Sequence, residues 1–234
     1  MTKTITATTE RSRLDIVQGI LDLIAARDLE VNSMTSENEL ARKLELNGRS
    51  PVLREALALL TRDGIVQPYP QRGYLIREIS THEAKEIVRL RAASQKLVVE
   101  KLATLELGSR LNQADEHQRS LSESADSDDC PTFLTFEGRL CRELARLSSL
   151  FTATQVVGAW SDQLRVFYVP FPLEHNEMQE IGESYLTLLE RIKQHDGDGA
   201  IVTIEAELQD RIQGIAKRDS QVQDSVPEVI YAVV

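Results

Sequence analysis

The sequence predicts a mainly helical protein of two domains, a small N-terminal domain that carries a β-hairpin and a larger C-terminal bundle of helices. Apolar residues recur at spacings of three and four along most of the chain. Short strand patterns are confined to the stretch before Ser80. Charge also divides unequally, because residues 1–80 hold 11 Lys and Arg against 11 Asp and Glu, whereas the remainder holds 16 against 26. This asymmetry predicts two domains with different partners.

Composition narrows the class of protein. The chain has 234 residues, of which 41% are hydrophobic and 5% aromatic, and its formal net charge is −10. Its apolar runs are far shorter than a membrane span, and its first residues lack the hydrophobic core of a signal peptide. We therefore expect a cytoplasmic protein without membrane contact. Cys130 and Cys141 lack the CxxC spacing of zinc or redox sites, which predicts two reduced thiols.

Three short helices open the predicted N-terminal domain, residues 1–80. The first is expected over residues 12–26, and the second follows an N-cap at Thr35 or Ser36. The third begins at Pro51, because proline suits the first turn of a helix that Ser50 caps. Each helix has an apolar stripe, formed in turn by Ile16, Ile20, Leu23 and Ile24, by Leu40, Ala41 and Leu44, and by Leu53, Ala56, Leu57 and Leu60.

A β-hairpin closes this domain. Ile65 and Val66 begin one strand, residues 74–76 form its partner, and PYPQRG between them is a turn with an arginine at its tip. Three helices and a hairpin with a basic tip are the elements of a winged helix-turn-helix. In that fold the third helix enters the major groove and the wing contacts the neighbouring minor groove or the backbone. The sequence therefore predicts a protein that binds double-stranded DNA.

The motifs SENELA, RSPVLREALALL and DGIVQPYPQRGYLI, in this order, resemble the DNA-binding domain of the GntR family of bacterial transcription regulators. The resemblance implies that the recognition helix and the wing contact DNA. It also places Asn38 where the family often has an arginine, and an asparagine can still donate a hydrogen bond to a phosphate. Gly73 has two interpretations, a turn residue or a site of backbone approach to DNA. The predicted DNA-binding residues are Asn38, Arg49, Ser50, Arg54, Arg72, Gly73 and Tyr74.

The C-terminal domain, residues 81–234, is predicted to be an antiparallel bundle of about six helices. SESADSDD is expected to be an acidic loop, and Pro170 and Pro172 to end one of the helices. The last predicted helix carries the apolar stripe Ile201, Ile204, Leu208, Ile212 and Ile215. This half of the chain resembles, more weakly, the effector-binding domain of the FadR-type subfamily of GntR regulators. That resemblance implies control by a small-molecule effector.

Many domains of that type hold a divalent metal with one aspartate and three histidines. The matching positions here are Phe133, Glu137, Ser184 and Glu207, and since none carries an imidazole we expect neither a metal nor another cofactor. If both glutamates face the interior, they need cationic partners, and the candidates are Arg91, Arg139 and Arg165. In the alternative, both glutamates are solvated on helix surfaces. The predicted effector-binding residues are Arg91, Glu137, Arg165, Ser184 and Glu207.

Together these patterns predict a transcription regulator, more narrowly a repressor. We do not expect an enzyme, since the sequence has no phosphate-binding glycine loop and no HExxH or GxSxG motif. One winged helix-turn-helix domain spans only a few base pairs of DNA, so we expect a homodimer that binds an inverted repeat. The alternative is a helical partner-binding or dimerisation protein that uses the winged helix as an interaction module. Measurement of DNA binding distinguishes the two.

Overall fold

The computed structural model describes residues 12–46 and 50–225, which fall into two compact units that meet between Arg77 and Glu78. The predicted fold class, a winged helix-turn-helix followed by a helical bundle, is confirmed. In the first unit lie α1 (Arg13–Ala25), β1 (Met34–Thr35), α2 (Glu37–Lys43), α3 (Pro51–Arg62), β2 (Val66–Tyr69) and β3 (Gly73–Ile76). In the second lie α4 (Thr81–Ala103), α5 (Asn112–Asp126), α6 (Cys130–Ser148), α7 (Phe151–Phe167), α8 (His175–Lys193) and α9 (Gly197–Ser225).

Side-chain caps fix where the helices of the first unit begin. The Ser12 hydroxyl accepts a hydrogen bond from the Asp15 N–H, and the Asp15 carboxylate accepts one from the Ser12 N–H at 2.8 Å. Ser36, and not Thr35, is the N-cap of α2, because its hydroxyl accepts from the Glu39 N–H at 3.2 Å. These bonds satisfy N–H groups that have no partner within the helix. Behind the helices most of the predicted apolar residues form the core, with Ile20, Leu40 and Leu57 fully buried. In α1, however, Leu21 is buried and the predicted Leu23 is only half-buried.

The small sheet contains one strand more than the sequence predicts. Its order is β1-β3-β2 and both pairings are antiparallel, with Met34 opposite Leu75 and Val66 opposite Ile76. The stretch VNSMT, predicted only to interrupt the helices, therefore supplies an edge strand of two residues. A strand this short leaves no alternating pattern in the sequence, and its pairing partner lies about forty residues further along the chain.

Gly73 lets β1 and β3 approach closely. Its φ is +103°, and a Cβ built at this position would lie 2.2 Å from the Thr35 carbonyl oxygen. A side chain would therefore strain the backbone and collide with β1. Position 73 therefore requires glycine for structural reasons, which favours the structural interpretation of Gly73 over backbone approach to DNA.

The second unit consists of helices, and the described residues from Glu78 onward contain no strand. The predicted acidic loop SESADSDD is mostly helical, because α5 continues through Asp126 and only residues 127–129 separate it from α6. Asp129 caps α6 by accepting from the Thr132 N–H at 3.0 Å. The prediction was wrong because the end of α5 is rich in serine and aspartate, a composition that is also typical of loops. None of the described helices is long and apolar enough to cross a membrane.

The buried face of α9 is rotated from the predicted apolar stripe. Ile204 and Ile215 are buried as expected, whereas Ile201, Leu208 and Ile212 are half-buried. Charged residues at the same helical spacing, Glu207, Arg211 and Arg218, take the interior positions instead. The helix extends past Arg218, which the sequence left unplaced, to Ser225, and the apolar tail VIYAVV lies outside the described residues.

Gly73→Ala should lower the free energy of unfolding by on the order of 2 kcal/mol and loosen β1, because the new methyl group is strained and collides with Thr35. Chemical denaturation and hydrogen exchange at residues 34–36 measure both effects. Gly108→Ala is the matched control, since its φ is +48° but a Cβ there meets no heavy atom within 4 Å. If the two variants lose the same free energy of unfolding, the contact between position 73 and Thr35 is not the reason for the glycine.

Candidate nucleic-acid interface and buried ionic cluster

Arg54 lies exposed on α3, facing α2. Its Nε donates to Glu37 Oε2 at 3.1 Å, and the two side chains are 57% and 29% exposed. An ion pair in such contact with water contributes little stability, so a phosphate or a base edge can displace the glutamate at small cost. Arg54 is thus held in place and remains available to an anionic partner.

A cleft joins α2, α3 and the hairpin turn around Arg54. It is lined by Ser36, Glu37, Asn38, Arg54 and Gln71. The amides of Asn38 and Gln71 are exposed beside the guanidinium and offer both donors and acceptors. Gln71, in the turn motif PYPQRG, is a candidate that the sequence analysis did not single out.

The wing presents Arg72 at its tip. Arg72 is exposed, and its N–H donates to the Tyr69 carbonyl at 3.0 Å, which closes the turn. Tyr74 is half-buried, and burial together with the nearby charge of Glu37 raises the pKa of its phenol. Below the wing, the Arg77 guanidinium donates to the Gly64 carbonyl and fastens β3 to the end of α3. The tip of the wing therefore projects a cation from an anchored hairpin.

Two further residues belong to the predicted interface. Ser50 occupies the N-cap position of α3, but its hydroxyl makes no capping hydrogen bond, and it is half-buried. Arg49 lies outside the described residues. Of the predicted interface residues, Asn38 and Arg54 line the cleft between α2 and α3, and Arg72 is exposed at the tip of the wing.

A second site lies inside the helical unit, where four charged side chains meet. We call Arg91, Glu137, Glu207 and Arg211 the ionic cluster. Arg211 Nη2 lies 2.7 Å from Glu137 Oε1 and 2.6 Å from Glu207 Oε1, and Arg91 Nη2 lies 2.9 Å from the same oxygen of Glu137. The side chains of Arg91 and Arg211 are 1% and 0% exposed. Two positive and two negative charges compensate one another, as burial of charge requires.

Neutral polar groups complete the surroundings of Glu137. The Tyr185 hydroxyl donates to Glu137 Oε1 at 3.2 Å, Gln95 Nε2 donates to the Tyr185 oxygen at 3.2 Å, and Cys141 Sγ lies 3.0 Å from it. Burial raises the pKa of both the Tyr185 phenol and the Cys141 thiol. Both groups therefore stay protonated and serve Glu137 as neutral neighbours. Through Tyr185, which lies on α8, the network joins α4, α6, α8 and α9.

The charge state of Glu137 follows from its neighbours. Burial by itself disfavours the carboxylate, but the charges of Arg211 and Arg91 outweigh it and lower the pKa of Glu137 to about 2. Glu137 in turn raises the pKa of Arg91 against the effect of burial. Glu137 and Arg91 therefore face each other as a charged pair at neutral pH.

The ionic cluster is not fully satisfied by protein groups. Arg91 Nη1 is buried and has no hydrogen-bond partner among the described residues. Beside Glu207 and Arg211, a cavity that Ser184 and Tyr168 also line encloses about 30 Å³. That volume holds about one water molecule, so a larger ligand requires α8 and α9 to separate.

Comparison with family models gives no match to this chain, and neither does comparison with curated proteins. Solved structures do match. E. coli McbR/YncC superposes with a TM-score of 0.74 at 17% identity, over 88% of this chain and 98% of that chain. A structure described as a transcriptional regulator GntR from Rhodococcus sp. RHA1 gives 0.70 at 16% identity, over 88% and 97%. The Listeria monocytogenes protein Lar, said to control expression of the agr system, gives 0.58 at 16%, over 93% and 99%.

The chain has the fold of GntR-family regulators. The resemblance inferred from the motifs SENELA and RSPVLREALALL is thereby confirmed at the level of the fold, over both units of the chain. Its assignment to the FadR-type subfamily stays a prediction.

The metal that many FadR-type domains carry does not fit the residues present here. In the described part of the chain, no group of three or more His, Cys, Asp or Glu side chains is placed to hold a metal ion. The guanidinium of Arg211 contacts both Glu137 and Glu207, and so occupies the position that a cation bound to these carboxylates would need. Two guanidinium groups supply the positive charge instead.

The interior position of Glu137 and Glu207 agrees with one of the two sequence-based alternatives. They are 2% and 9% exposed, so the alternative of solvated glutamates is wrong. Among the predicted partners, Arg91 pairs with Glu137, whereas Arg139 is exposed, with its guanidinium 5.1 Å from the Phe136 ring. The main partner, Arg211, was missed. Its signal in the sequence was the spacing of four from Glu207, which places both on one face of α9.

Arg165 and Ser184, the other predicted effector-binding residues, lie at different depths. Arg165 is buried on α7, at 5% exposure. Ser184 is half-buried on α8 and lines the cavity next to Glu207. Ser184 is therefore the predicted residue that both borders the ionic cluster and lies next to space.

Glu137→Gln should remove part of the acid sensitivity of the fold. The pKa of Glu137 falls from 4.5 to about 2 on folding, so its contribution of about 3 kcal/mol is complete above pH 4.5 and is lost as the pH falls toward 2. At pH 7 the variant should lose about 3–5 kcal/mol, since two buried guanidinium groups then face Glu207 alone. Unfolding free energies measured between pH 7 and pH 3 test both statements.

Glu143→Gln on the same helix is the matched control. Glu143 is buried at its side chain, but its partner Arg146 is 61% exposed, so we expect a loss below about 1 kcal/mol. If the unfolding free energy of Glu137→Gln falls as steeply as that of the wild type between pH 7 and pH 3, the lowered pKa of Glu137 is contradicted.

Proposed function

We propose that this protein is a DNA-binding transcription regulator that reads its operator with α3 and the wing. The observation that carries the proposal is Arg54. It lies exposed on the second helix of the helix-turn-helix, beside Asn38 and Gln71, in a protein with the fold of GntR-family regulators. Arginine at this position suits bidentate contact with guanine or with a phosphate.

The charge of the two units supports this proposal. The residues up to Ser80 are neutral in total, and the formal charge of −10 belongs to the remainder. Since DNA attracts local positive charge and repels the acidic remainder, binding by Arg54 and Arg72 orients the protein with its first unit toward the duplex. The same repulsion makes the rest of the chain a poor nucleic-acid surface.

We further propose that the regulator is a repressor, and that a small molecule bound next to the ionic cluster changes its affinity for DNA. The support is the cavity beside Ser184, which Glu207 and Arg211 of the ionic cluster also line. An anionic or polar effector in this cavity would compete with Glu207 for Arg211. Binding then moves α8 against α9, since the cavity encloses only about 30 Å³.

Arg54→Ala should weaken operator binding by about 1–3 kcal/mol if the guanidinium contacts a base, and by less if it contacts a phosphate. The operator is first selected from fragments of the source genome with the full-length protein, and affinity is then measured by fluorescence anisotropy at several salt concentrations. A phosphate contact lowers the salt slope by about one, whereas a base contact changes the sequence preference.

Arg62→Ala is the control for this measurement. Arg62 lies at the other end of α3, is 67% exposed, and pairs with Asp63 at 2.7 Å. We expect its replacement to leave operator affinity within about twofold. Operator binding that is the same for wild type and Arg54→Ala would remove Arg54 from the interface. If no DNA fragment is selected at all, the alternative of a winged helix that serves as a protein-interaction module is favoured.

Effector control is tested by linkage. Metabolites that raise the melting temperature should change operator affinity by about 5- to 150-fold, and DNA should change effector affinity by the same factor. Ser184→Leu, which fills the cavity, should abolish the response and leave operator affinity in the absence of effector unchanged. Thr187→Leu, on an exposed part of α8, should leave the response intact. A ligand that binds at Ser184 without changing DNA affinity would disprove effector control.

A further inference from the structure

The first turn of α2 places a carboxylate next to the arginine that is proposed to read DNA. Glu37 is the first residue of α2, and Arg54 lies near the start of α3. The ion pair between them joins the two helices across 17 residues of chain. Beside DNA a carboxylate is an unfavourable group, since it repels the phosphates. The presence of Glu37 in this cleft therefore requires a reason other than attraction to DNA.

Capping of α2 does not account for Glu37. The Ser36 hydroxyl accepts a hydrogen bond from the Glu39 N–H at 3.2 Å, and Glu39 Oε2 accepts one from the Thr35 hydroxyl at 3.1 Å. The local hydrogen bonds at the start of α2 thus engage Glu39, whereas Glu37 directs its Oε2 toward Arg54. The helix dipole favours a carboxylate in the first turn whichever way its side chain points. The dipole therefore explains the charge of Glu37 but not its direction.

The contact engages Nε of Arg54 and leaves its two terminal nitrogens available. Nε donates to Glu37 Oε2 at 3.1 Å, and neither Nη1 nor Nη2 has a hydrogen bond to another described residue. The N–H donors of arginine lie in one plane, and those on the terminal nitrogens form a fork. This fork matches the O6 and N7 acceptors that guanine presents in the major groove. Holding Nε therefore fixes the direction in which the fork points.

The charge of the pair favours a base over a phosphate. Attraction to phosphates depends on net charge, and Glu37 cancels the charge of Arg54 at close range. To bind a phosphate as a full cation, Arg54 would have to leave Glu37, and the freed carboxylate would stay on α2 beside the DNA. The edge of a base carries no net charge, so it can accept from the fork while Glu37 remains in place.

The other groups in the cleft also suit contact with bases. Asn38 and Gln71, which line it together with the pair, carry exposed amides. Amide side chains recognise base edges through paired donors and acceptors and bring no charge. The described residues that line the cleft therefore have no net charge. Arg72, exposed at the tip of the wing, is the cation better suited to the DNA backbone.

We propose that Glu37 is a positioning residue that commits Arg54 to one guanine of the operator. Glu37 holds Nε, and the two terminal nitrogens of Arg54 donate to O6 and N7 of that base. The inference rests on the DNA-binding function proposed above and deepens it, because it names the base that Arg54 reads and the residue that fixes its direction. Glu37 itself contacts no DNA in this arrangement, and it raises selectivity at the expense of affinity for DNA in general.

The experiment uses the full-length protein and the operator selected from genomic fragments. Each base pair is replaced in turn, and affinity is measured by fluorescence anisotropy in about 0.15 M salt. Replacement of at least one G·C pair should weaken wild-type binding by about 5- to 150-fold, which is the discrimination of a bidentate contact. Arg54→Ala should abolish that preference.

Glu37→Ala should change selectivity and general affinity in opposite directions. The preference for guanine should fall below about threefold, because the fork is no longer fixed. Affinity for a duplex of scrambled sequence should rise by roughly 2- to 10-fold, since a negative charge is removed beside the phosphates. The melting temperature should stay near that of the wild type, because an exposed ion pair contributes little stability.

Two conservative variants separate positioning from charge. Glu37→Gln removes the charge but keeps an oxygen that accepts from Nε. It should therefore retain the guanine preference and still raise the affinity for the scrambled duplex. Glu39→Gln is the matched control, since it removes a charge from the same turn of α2 whose carboxylate accepts from Thr35. We expect it to leave the guanine preference unchanged.

A guanine preference that survives Glu37→Ala or Arg54→Ala overturns the inference. If Glu37→Ala tightens binding to the operator and to the scrambled duplex by the same factor, the inference also fails, because Glu37 then only repels DNA. In these cases selective binding of the operator by the wild type leaves the proposed function standing. A wild type without any sequence preference overturns the proposed function and the inference together.

Discussion

The helical unit depends on one constraint: charges placed inside a bundle must find partners from several helices at once. Glu137 on α6 meets Arg91 from α4 and Arg211 from α9, and it accepts a hydrogen bond from Tyr185 on α8. A single displaced helix would leave a buried charge uncompensated, at a cost of about 3–5 kcal/mol. We regard the ionic cluster as a device that specifies the arrangement of these helices, because separating a buried ion pair is far more costly than exchanging the whole pair for well-packed apolar residues.

The same constraint explains what kind of chemistry the interior allows. Glutamates that could have bound a metal are engaged by Arg211, and Cys141 and Tyr185 are held in their neutral forms by burial. The interior thus presents donors and fixed charges and no nucleophile or redox centre among the described groups. Among the described residues, Arg91 Nη1 is a buried donor that has no hydrogen-bond partner. Such an interior suits recognition of a polar ligand, and rearrangement of ion pairs is the physical means by which a ligand would move α9.

Local signals explain what the sequence predicted and what it did not. Ser12, Ser36 and Ser80 cap helices through hydrogen bonds to residues three positions ahead, so helix starts were readable from the chain. The strand β1 and the role of Gly73 depend on contact between residues about forty positions apart, and no local pattern records that contact. The stripe of α9 was misplaced for a related reason. The prediction placed isoleucines on the buried face of α9 and so left Glu207 and Arg211 outside that face. These two residues are buried because Glu137 and Arg91 approach them from other helices.

The proposed recognition of DNA depends on a weakly held charge on an exposed helix face. The pair Glu37–Arg54 is exposed at both side chains, so it orients the arginine without competing strongly with a phosphate. Ion pairs buried in the bundle fix its shape, whereas exposed ones exchange partners at little cost. Burial or exposure of a charged side chain therefore decides whether it stabilises the fold or is available to bind another molecule.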